Sequence, residues 1–332
     1  MYNKCIDNIT PIRRSIVNIN MSLLNRGLVE VSYKEFYRNI FPVGSFEERG
    51  VYERGKYNGI IIELTNDKKA DGKLKVLRHT LTDDFDKLDE VVGRDNFCLM
   101  SPISYAGKSR KSTYARFLYA IAIDLDGIVS EDNLAVLFKQ IESNSFLLEN
   151  SVYWGLPAPS YFVSSGTGIH LYYVLEKPIP LFRNVVEQLE ILKRRLTWQA
   201  WTQGASELHD NVQYESLFQG FRMVGTVTKA GNITKAFRYE DAKKYTIEEL
   251  NRCVPEEYRV KRIVYQSDLT LAEAKNKYPD WYEKRIVRKQ PKGSWICNRA
   301  LYDWWIKKIY SGAEQGHRYW CILALAAYAK SV

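Results

Sequence analysis

The sequence predicts an α+β fold followed by a helical region. Two observations support this prediction. Strand-like and helix-like segments alternate between residues 117 and 239, whereas only helix-like patterns follow residue 265. The 332 residues are enough for about two domains at roughly 150 residues each. A hydrophobic content of 45% is sufficient to bury a core and argues against intrinsic disorder.

Charge and cysteine usage narrow the class of protein. The net charge of +9 favours a polyanionic partner, either nucleic acid or a membrane surface. No apolar run approaches ~18 residues, and the N-terminus lacks the apolar core of a signal peptide. The five cysteines fit neither a disulfide framework nor a local zinc site, since the closest two, Cys297 and Cys321, stand 24 positions apart. We therefore expect a soluble cytoplasmic protein without zinc.

The first part of the chain, residues 1–110, mixes helical and strand patterns. Residues Met21–Glu30 can form a helix. The segment Tyr57–Thr65 is typical of a strand, because its apolar, β-branched residues run together between polar flanks. We interpret residues 1–110 as an N-terminal α/β module of a larger functional domain.

The middle part, residues 111–255, has the clearest pattern. Its apolar run Phe117–Leu125 is typical of a central strand buried on both faces. The element order β-α-β-β-α-β-β describes a small sheet with helices on one face, as in the ferredoxin-like or RNA-recognition-motif (RRM-like) topology. After the first strand, the predicted elements are a helix at Ser130–Glu149, strands at Tyr161–Ser164 and Ile169–Leu175, a helix at Phe182–Thr202, and a last strand pair at Phe221–Thr228 and Ala236–Tyr239.

The last part, residues 256–332, is predicted to be a linker and a small all-helical domain. Its candidate helices are Leu269–Tyr282, Trp295–Tyr310 and Gly316–Ala329. The sequence stops without a helix stop signal such as Gly or Pro, so we expect this domain to be truncated.

The first chemical motif is Asp124-Leu125-Asp126 at the end of the buried strand. Side chains two positions apart on a strand project from the same face, so the two carboxylates lie side by side. Close, partly buried carboxylates resist joint ionisation, and a divalent cation relieves both the burial and the repulsion. Oxygen ligands favour Mg²⁺ or Mn²⁺ over zinc. The alternative is a β-turn, because Asp-Leu-Asp-Gly is also good turn chemistry.

The second motif is a glycine turn between two strands. It comprises Ser165, Gly166, Thr167 and Gly168, and His170 follows at the start of the next strand. Glycines let the backbone approach a ligand closely, and successive N–H groups in a tight turn can bind phosphate. The alternative is an ordinary hairpin with a structural histidine.

The third motif combines an acidic residue with basic ones. Asp210 can complete a trio of carboxylates, and Arg222, Thr226 and Lys229 offer donors to a triphosphate or a nucleic-acid backbone. The alternative is a helix-capping Asp with ordinary surface charges.

A fourth feature is a basic stretch with interleaved tyrosines. No acidic residue occurs between Asn96 and Ile123, and basic groups beside aromatic ones suit a nucleic-acid backbone with stacked bases. A solvated loop is the alternative. The basic residues of this stretch are Lys108, Arg110, Lys111 and Arg116.

In this order, the three motifs resemble those of the archaeo-eukaryotic primase superfamily, in particular the primase-polymerases of plasmids, phages and mobile elements. The resemblance covers about residues 95–240. It implies that Asp124 and Asp126 bind metal and that the segment from Ser165 to His170 contacts the phosphates of the incoming nucleotide. The third metal ligand falls most naturally on Asp210, with Glu207 and Glu215 as alternatives, and Arg222 and Lys229 match the basic phosphate-binding positions.

The resemblance implies a DNA primase and polymerase that uses two Mg²⁺ or Mn²⁺ ions, nucleoside triphosphates and a single-stranded DNA template. The zinc module of some relatives is missing. The helical region, with Arg299 and Arg318, is similar to domains that help to hold template or initiating nucleotide, often with a helicase in the same chain or in trans. Three alternatives remain: a repair polymerase without priming activity, a non-catalytic replication initiator or single-strand-binding module, and a two-metal nuclease.

Overall fold

The structure is a computed structural model that describes residues 17–68, 74–143, 155–166, 168–228, 231–263, 269–290 and 298–329. The chain divides into two compact units, Met1–Gln266 and Ser267–Val332. This division lies eleven residues after the boundary expected from the sequence, between residues 255 and 256. Within the described ranges, no helix is both long and apolar enough to cross a membrane.

The first unit combines two antiparallel sheets with six helices in its described part. Each sheet contains strands from residues 1–110 and strands from the middle part of the chain, so residues 1–110 do not form a layer of their own. The helices are α1 (Ile19–Asn25), α2 (Tyr33–Ile40), α3 (Asp86–Val92), α4 (Glu131–Ser143), α5 (Arg183–Ala200) and α6 (Ile247–Arg252). The strands are β1 (Val29–Val31), β2 (Gly59–Lys68), β3 (Leu74–Leu81), β4 (Phe97–Met100), β5 (Ile103–Tyr105), β6 (Ala115–Leu125), β7 (Tyr161–Ser164), β8 (Ile169–Pro180), β9 (Phe221–Arg222) and β10 (Lys235–Arg238).

The larger sheet has six strands in the order β1-β10-β7-β8-β6-β5. Its strand β6 is buried on both faces, as its continuous apolar sequence predicts. Ile121 and Ile123 face a core formed with the apolar stripes of α4 and α5. Ala120 and Ala122 face a second core, which includes side chains from the smaller sheet. Helices therefore cover one face of the larger sheet, and the smaller sheet packs on the other.

The strand order agrees with the expected RRM-like topology in its centre and differs at its edge. β8 pairs with both β6 and β7, as expected for the first three strands of that topology. The last strand, β10, pairs with β7 instead of β6. The reason is that β5 already pairs with the free edge of β6, to which it is joined by a short connection.

The predicted last strand pair does not form as one hairpin. β9 consists of Phe221–Arg222 only, and it pairs with β4 in the smaller sheet, whose order is β3-β2-β4-β9. β10 belongs to the larger sheet. Next to the turn the predicted pairing persists as an antiparallel bridge between Val227 and Ile233. The Thr234 amide donates to the Thr226 carbonyl at 2.9 Å, and the Thr228 amide donates to the Asn232 carbonyl at 2.7 Å. The two halves of the predicted hairpin therefore belong to different sheets, and the segment between them links these sheets. This arrangement brings Arg222 towards the ends of β6 and β8.

In its described residues, the second unit consists of helices and their connections. The predicted helix Leu269–Tyr282 is broken at Tyr278, because the proline that follows cannot continue the hydrogen bonding of α7 (Leu271–Lys277) and starts α8 (Pro279–Tyr282) instead. The next helix, α9 (Arg299–Gly312), begins after Asn298, whose side chain accepts a hydrogen bond from the Leu301 amide at 2.9 Å. The last helix is α10 (Arg318–Ala329).

Candidate active site

The carboxylate pair lies where β6 ends. Asp124 is the next-to-last residue of the strand, and Asp126 follows its last residue. The loop after α5 holds this strand end through its backbone: the Trp201 indole donates to the carbonyl of Asp124 at 2.7 Å, and the Ser206 hydroxyl donates to the carbonyl of Asp126 at 2.6 Å. The main chain of the pair is thereby fixed, and neither hydrogen bond uses a carboxylate oxygen.

His170 lies directly opposite Asp124 in the β6–β8 ladder. Its Nε2 is 3.4 Å from Asp124 Oδ1, and its ring packs edge-on against Phe221 at 5.2 Å between centroids. Burial, together with the charge of Arg222, lowers the pKa of His170 to about 3. The imidazole is therefore neutral at physiological pH and does not neutralise the carboxylate beside it.

Asp124 carries a strongly perturbed carboxyl group. Burial raises its pKa to about 8, and the charges of Asp126 and Glu215 contribute in the same direction. Arg222 and Lys193 oppose this shift. The group therefore lies in a position where a negative charge costs free energy.

Glu215 and Lys193 complete the charged cluster. Burial and the charge of Asp126 raise the pKa of Glu215, while Lys193 opposes that shift. Burial also lowers the pKa of Lys193 to about 8, against the pull of nearby carboxylates. The Lys193 ammonium donates to the Ser216 carbonyl at 2.8 Å and lies 5.4 Å from the centre of the Phe221 ring. One buried cation thus faces several carboxylates.

Two oxygens of this cluster are buried without a hydrogen-bond partner, namely Asp124 Oδ1 and Glu215 Oε2. Unpartnered buried carboxylate oxygens are costly and suggest a missing ligand. Within the described ranges, no group of three or more His, Cys, Asp or Glu side chains is close enough to hold a metal ion. The site thus offers a few hard oxygen ligands and not a complete protein cage.

The glycine turn packs against the carboxylate pair. The Ser165 amide donates to the Gly168 carbonyl at 3.0 Å and closes the turn. A Cβ at Gly168 would lie 2.5 Å from Asp126 Oδ1, so only glycine permits this approach. Gly166 has φ +111°, and a Cβ there would lie 3.3 Å from Arg222 Nη1. The second motif is therefore close to the first motif and to Arg222.

Two of the predicted nucleotide-binding residues, Thr167 and Lys229, lie outside the described residues. Arg222 is described, and its charge acts on both Asp124 and His170. Its guanidinium carbon is 5.9 Å from the centre of the Phe97 ring. Arg222 therefore lies beside the glycine turn, and its charge acts on the carboxylate pair.

The expected third ligand, Asp210, does not belong to this cluster. Its side chain is 87% exposed, and its carboxylate is 3.4 Å from His209 Nε2 in a short helical turn. Glu207 is also exposed and accepts a hydrogen bond from Asn133 at 3.3 Å. Glu215 is the carboxylate that interacts with Asp124 and Asp126. The loop from Trp201 to Asp210 instead supports the backbone of the strand end.

The basic stretch before β6 divides into exposed and internal residues. Lys108 and Lys111 are exposed. Arg116 is engaged internally, since its Nη1 donates to the carbonyls of Thr113 and Ala115 at 3.0 and 2.8 Å. Arg110 is half-buried against the chain near β9. In the second unit, Arg299 and Arg318 are exposed, and Arg299 pairs with Asp303 at 3.0 Å.

Comparisons with known proteins were made on sequence and on structure. No protein-family model matches the sequence. No curated protein matches it either. Among solved structures, the chain is similar to the AEP domain of the primase-polymerase of cyanophage S-2L, with a TM-score of 0.42 and 15% sequence identity over 60% of this chain and 90% of that chain. At this level of similarity, function has to follow from the residues of the site.

Two residues of the site, Lys193 and Phe221, are not among those predicted from the sequence. Lys193 lies on the apolar stripe of α5, between Leu189 and Leu196. The helical periodicity of the sequence puts this lysine at a core position, which is unusual for a lysine and could have identified it. Phe221 packs on His170 and beneath Lys193, but a phenylalanine at the start of a strand carries no functional signal of its own.

Proposed function

We propose that this protein is a template-directed nucleotidyltransferase that synthesises primers de novo and extends them on single-stranded DNA. One observation carries the proposal: the Asp124/Asp126 pair, the glycine turn and Arg222 come from three separate parts of the sequence and lie together at one end of the larger sheet. Carboxylates for a cation next to a backbone turn and an arginine for phosphate are the groups that nucleotidyl transfer requires.

The donor set fits Mg²⁺ or Mn²⁺. Asp124 and Asp126 provide only oxygen ligands, and Glu215 adds a negative charge that acts on the pair. One oxygen of Asp124 and one of Glu215 are buried without a partner. Mg²⁺ commonly binds one or two carboxylates and takes its remaining ligands from water and substrate phosphates, so a complete protein cage is not needed. Two such ions, when bound, lower the pKa of the attacking 3′-hydroxyl and stabilise the leaving pyrophosphate.

The chain's own residues bind and orient the nucleotide. The glycine turn presents backbone to the phosphates without a Cβ in the way, and Arg222 neutralises part of their charge. Neutral His170 has a buried, unpartnered Nδ1 and can hydrogen-bond to a phosphate or sugar oxygen. Trp201 and Ser206 keep the carboxylates in position by holding the strand backbone.

The exposed basic residues are proposed to follow the template backbone. Lys108 and Lys111 in the first unit, and Arg299 and Arg318 in the second, offer cations to phosphodiesters. Base pairing with the template selects each nucleotide, so these side chains need not recognise bases.

The experiment that tests the proposal is synthesis on single-stranded circular DNA with Mg²⁺ or Mn²⁺ and all eight nucleotides. It is run with and without a primer. The variant Asp124→Ala/Asp126→Ala serves as a control for contaminating polymerase, and its binding to single-stranded DNA is measured in parallel. We expect short products without primer from the wild type, none from the double variant, and similar DNA binding by both.

Other outcomes of this experiment separate the alternatives. Extension of a supplied primer without de novo products indicates a repair-type polymerase. Release of end label without incorporation indicates a nuclease. DNA binding without either activity indicates an initiator or single-strand-binding module. Full synthesis by the double variant contradicts the assignment of the site.

A further inference from the structure

Arg110 lies 110 positions before Gly220 in the sequence, yet the fold brings it to the strand that carries Arg222. Its guanidinium lies directly on Gly220, the residue before β9. A Cβ at Gly220 would stand 2.7 Å from the Arg110 Cζ and would overlap with its Nη1. Gly220 and Arg222 are two residues apart, so their Cα atoms are at most about 7 Å from each other. The two arginines therefore lie at the same end of the smaller sheet.

Within the described ranges, no carboxylate forms an ion pair with Arg110 or Arg222, although ion pairs are common elsewhere in this unit. The charge of Arg222 acts on Asp124, but the two groups form no ion pair. The Nη1 of Arg110 is buried and has no hydrogen-bond acceptor. A guanidinium in such a place is costly unless an anion neutralises it, and a second one nearby increases that cost.

Arg110 differs in this respect from its neighbours in the basic stretch. Lys111 is exposed and needs no partner, while Arg116 donates to two backbone carbonyls. Arg110 alone among these three combines burial of a donor with the lack of an acceptor. Arg110 is therefore better suited to a partly enclosed anion site than to an exposed surface that binds the template.

We propose that Arg110 and Arg222 together bind the polyphosphate of the incoming nucleotide. Two planar guanidinium groups can bind the oxygens of successive phosphates bidentately, which suits a triphosphate better than a single phosphodiester. Gly220 has the role of leaving the space that the Arg110 guanidinium occupies. The inference rests on the proposed function for the identity of the substrate, but the anion site itself can be tested without catalysis.

The test measures binding of inorganic tripolyphosphate by calorimetry, with Mg²⁺ and again with EDTA. The variants are Arg110→Ala, Gly220→Ala and, as a matched loss of one exposed charge away from the site, Lys139→Ala. We expect about 10- to 100-fold weaker binding for Arg110→Ala, the range for loss of charged hydrogen bonds. Gly220→Ala should have a similar effect, because its methyl group displaces the guanidinium while the charge remains. Lys139→Ala should bind as the wild type does.

Binding of a single-stranded oligonucleotide by the same variants tests the other source of phosphate. A change of less than about twofold for Arg110→Ala supports the nucleotide site. The inference is overturned if Arg110→Ala binds tripolyphosphate normally, or if it loses the oligonucleotide and keeps tripolyphosphate. Melting curves show whether each variant folds. If Arg110→Ala does not fold, Arg110→Lys is measured in its place. Weak tripolyphosphate binding by folded variants supports the anion site even if the wild type synthesises no DNA.

Discussion

Two carboxylate–histidine pairs in the first unit consist of the same chemical groups and differ in what surrounds them. One is Glu63 with His79 in the smaller sheet, and the other is Asp124 with His170 in the larger sheet. Both carboxylates belong to central strands, and both histidines belong to the neighbouring antiparallel strand.

Glu63 is fully buried and fully satisfied. It accepts hydrogen bonds from His79 at 2.5 Å, from Asn96 at 2.7 Å and from Arg94 at 3.1 Å. Burial alone would raise the pKa of Glu63, but these hydrogen bonds and the charge of Arg94 lower it below its ordinary value. The glutamate is therefore ionised, and its carboxylate oxygens are already hydrogen-bonded to protein donors. This pair stabilises the smaller sheet.

Asp124 has the opposite balance. Its neighbours Asp126 and Glu215 are also acidic, its histidine is neutral, and its Oδ1 has no hydrogen-bond partner. A buried carboxylate beside a histidine is thus not a functional signal by itself. The distinguishing feature is the lack of compensation, because an uncompensated charge is available to a cation or substrate.

The largest expected effect is on catalysis by Asp124→Asn. This change removes the charge that would hold a cation, so we expect nucleotide incorporation to fall by at least about 100-fold. The melting temperature of the metal-free protein should stay the same or rise, since asparagine is uncharged in this buried position without having to hold a proton. Primer extension and thermal melting measure the two quantities. A variant that is less stable but active would place Asp124 with Glu63, among the structural carboxylates.

Glu63→Gln is the matched change at the other pair. Loss of the charge weakens the hydrogen bonds from Arg94 and His79, so we expect a loss of about 1–3 kcal/mol in the free energy of unfolding. Urea unfolding measures this loss, and primer extension should remain within about twofold of the wild type when the protein is folded. If Glu63→Gln lost most of its activity at unchanged stability, the difference in role between the Glu63–His79 pair and the Asp124–His170 pair would be contradicted.

A smaller effect distinguishes the two candidates for the third carboxylate. Glu215→Gln should lower incorporation about tenfold, because this residue interacts with the pair, whereas Asp210→Asn should change it less than about twofold. Steady-state kinetics at several Mn²⁺ concentrations measures both variants. Equal activity of Glu215→Gln and the wild type, with a deficit in Asp210→Asn, would restore the sequence-based assignment.

The smallest effect is a difference in pH dependence between the metal-free proteins. The pKa of Asp124 is raised, so the folded state holds a proton that the unfolded state has lost, and stability falls as pH rises from about 4 to 8. The pKa of Glu63 is lowered, so its contribution is present above its ordinary pKa and is lost as pH falls through the lowered value.

Thermal and urea unfolding in EDTA measure these slopes. The decline towards pH 8 should be shallower in Asp124→Asn than in the wild type, by at most about 1.4 kcal/mol per pH unit for one proton. The raised pKa of Glu215 leaves part of the decline in the variant. The charges that face Asp124 set its size: Asp126 and Glu215 increase it, and Arg222 and Lys193 reduce it. Identical slopes for the wild type and Asp124→Asn would show that the carboxyl group is compensated in the fold.

Local patterns were sufficient for much of the fold. The buried strand Phe117–Leu125 lies within β6, and β7 has the predicted bounds Tyr161–Ser164. The two long helices of the middle part also agree with the structure where it describes them. These elements depend on hydrophobic periodicity and on turn residues, which a short window of sequence contains.

The sequence alone was therefore enough to identify the candidate chemical groups: two aspartates at a strand end, a glycine turn before the next strand, and arginines later in the chain. Which of these groups contact one another depends on the tertiary structure. The structure separates β9 from β10, leaves Asp210 in solvent, brings Glu215 and Lys193 to the carboxylate pair, and places Arg110 on Gly220. The physical reason is that these contacts join residues far apart in sequence, and their free energy depends on burial and neighbouring charge, which no local pattern contains.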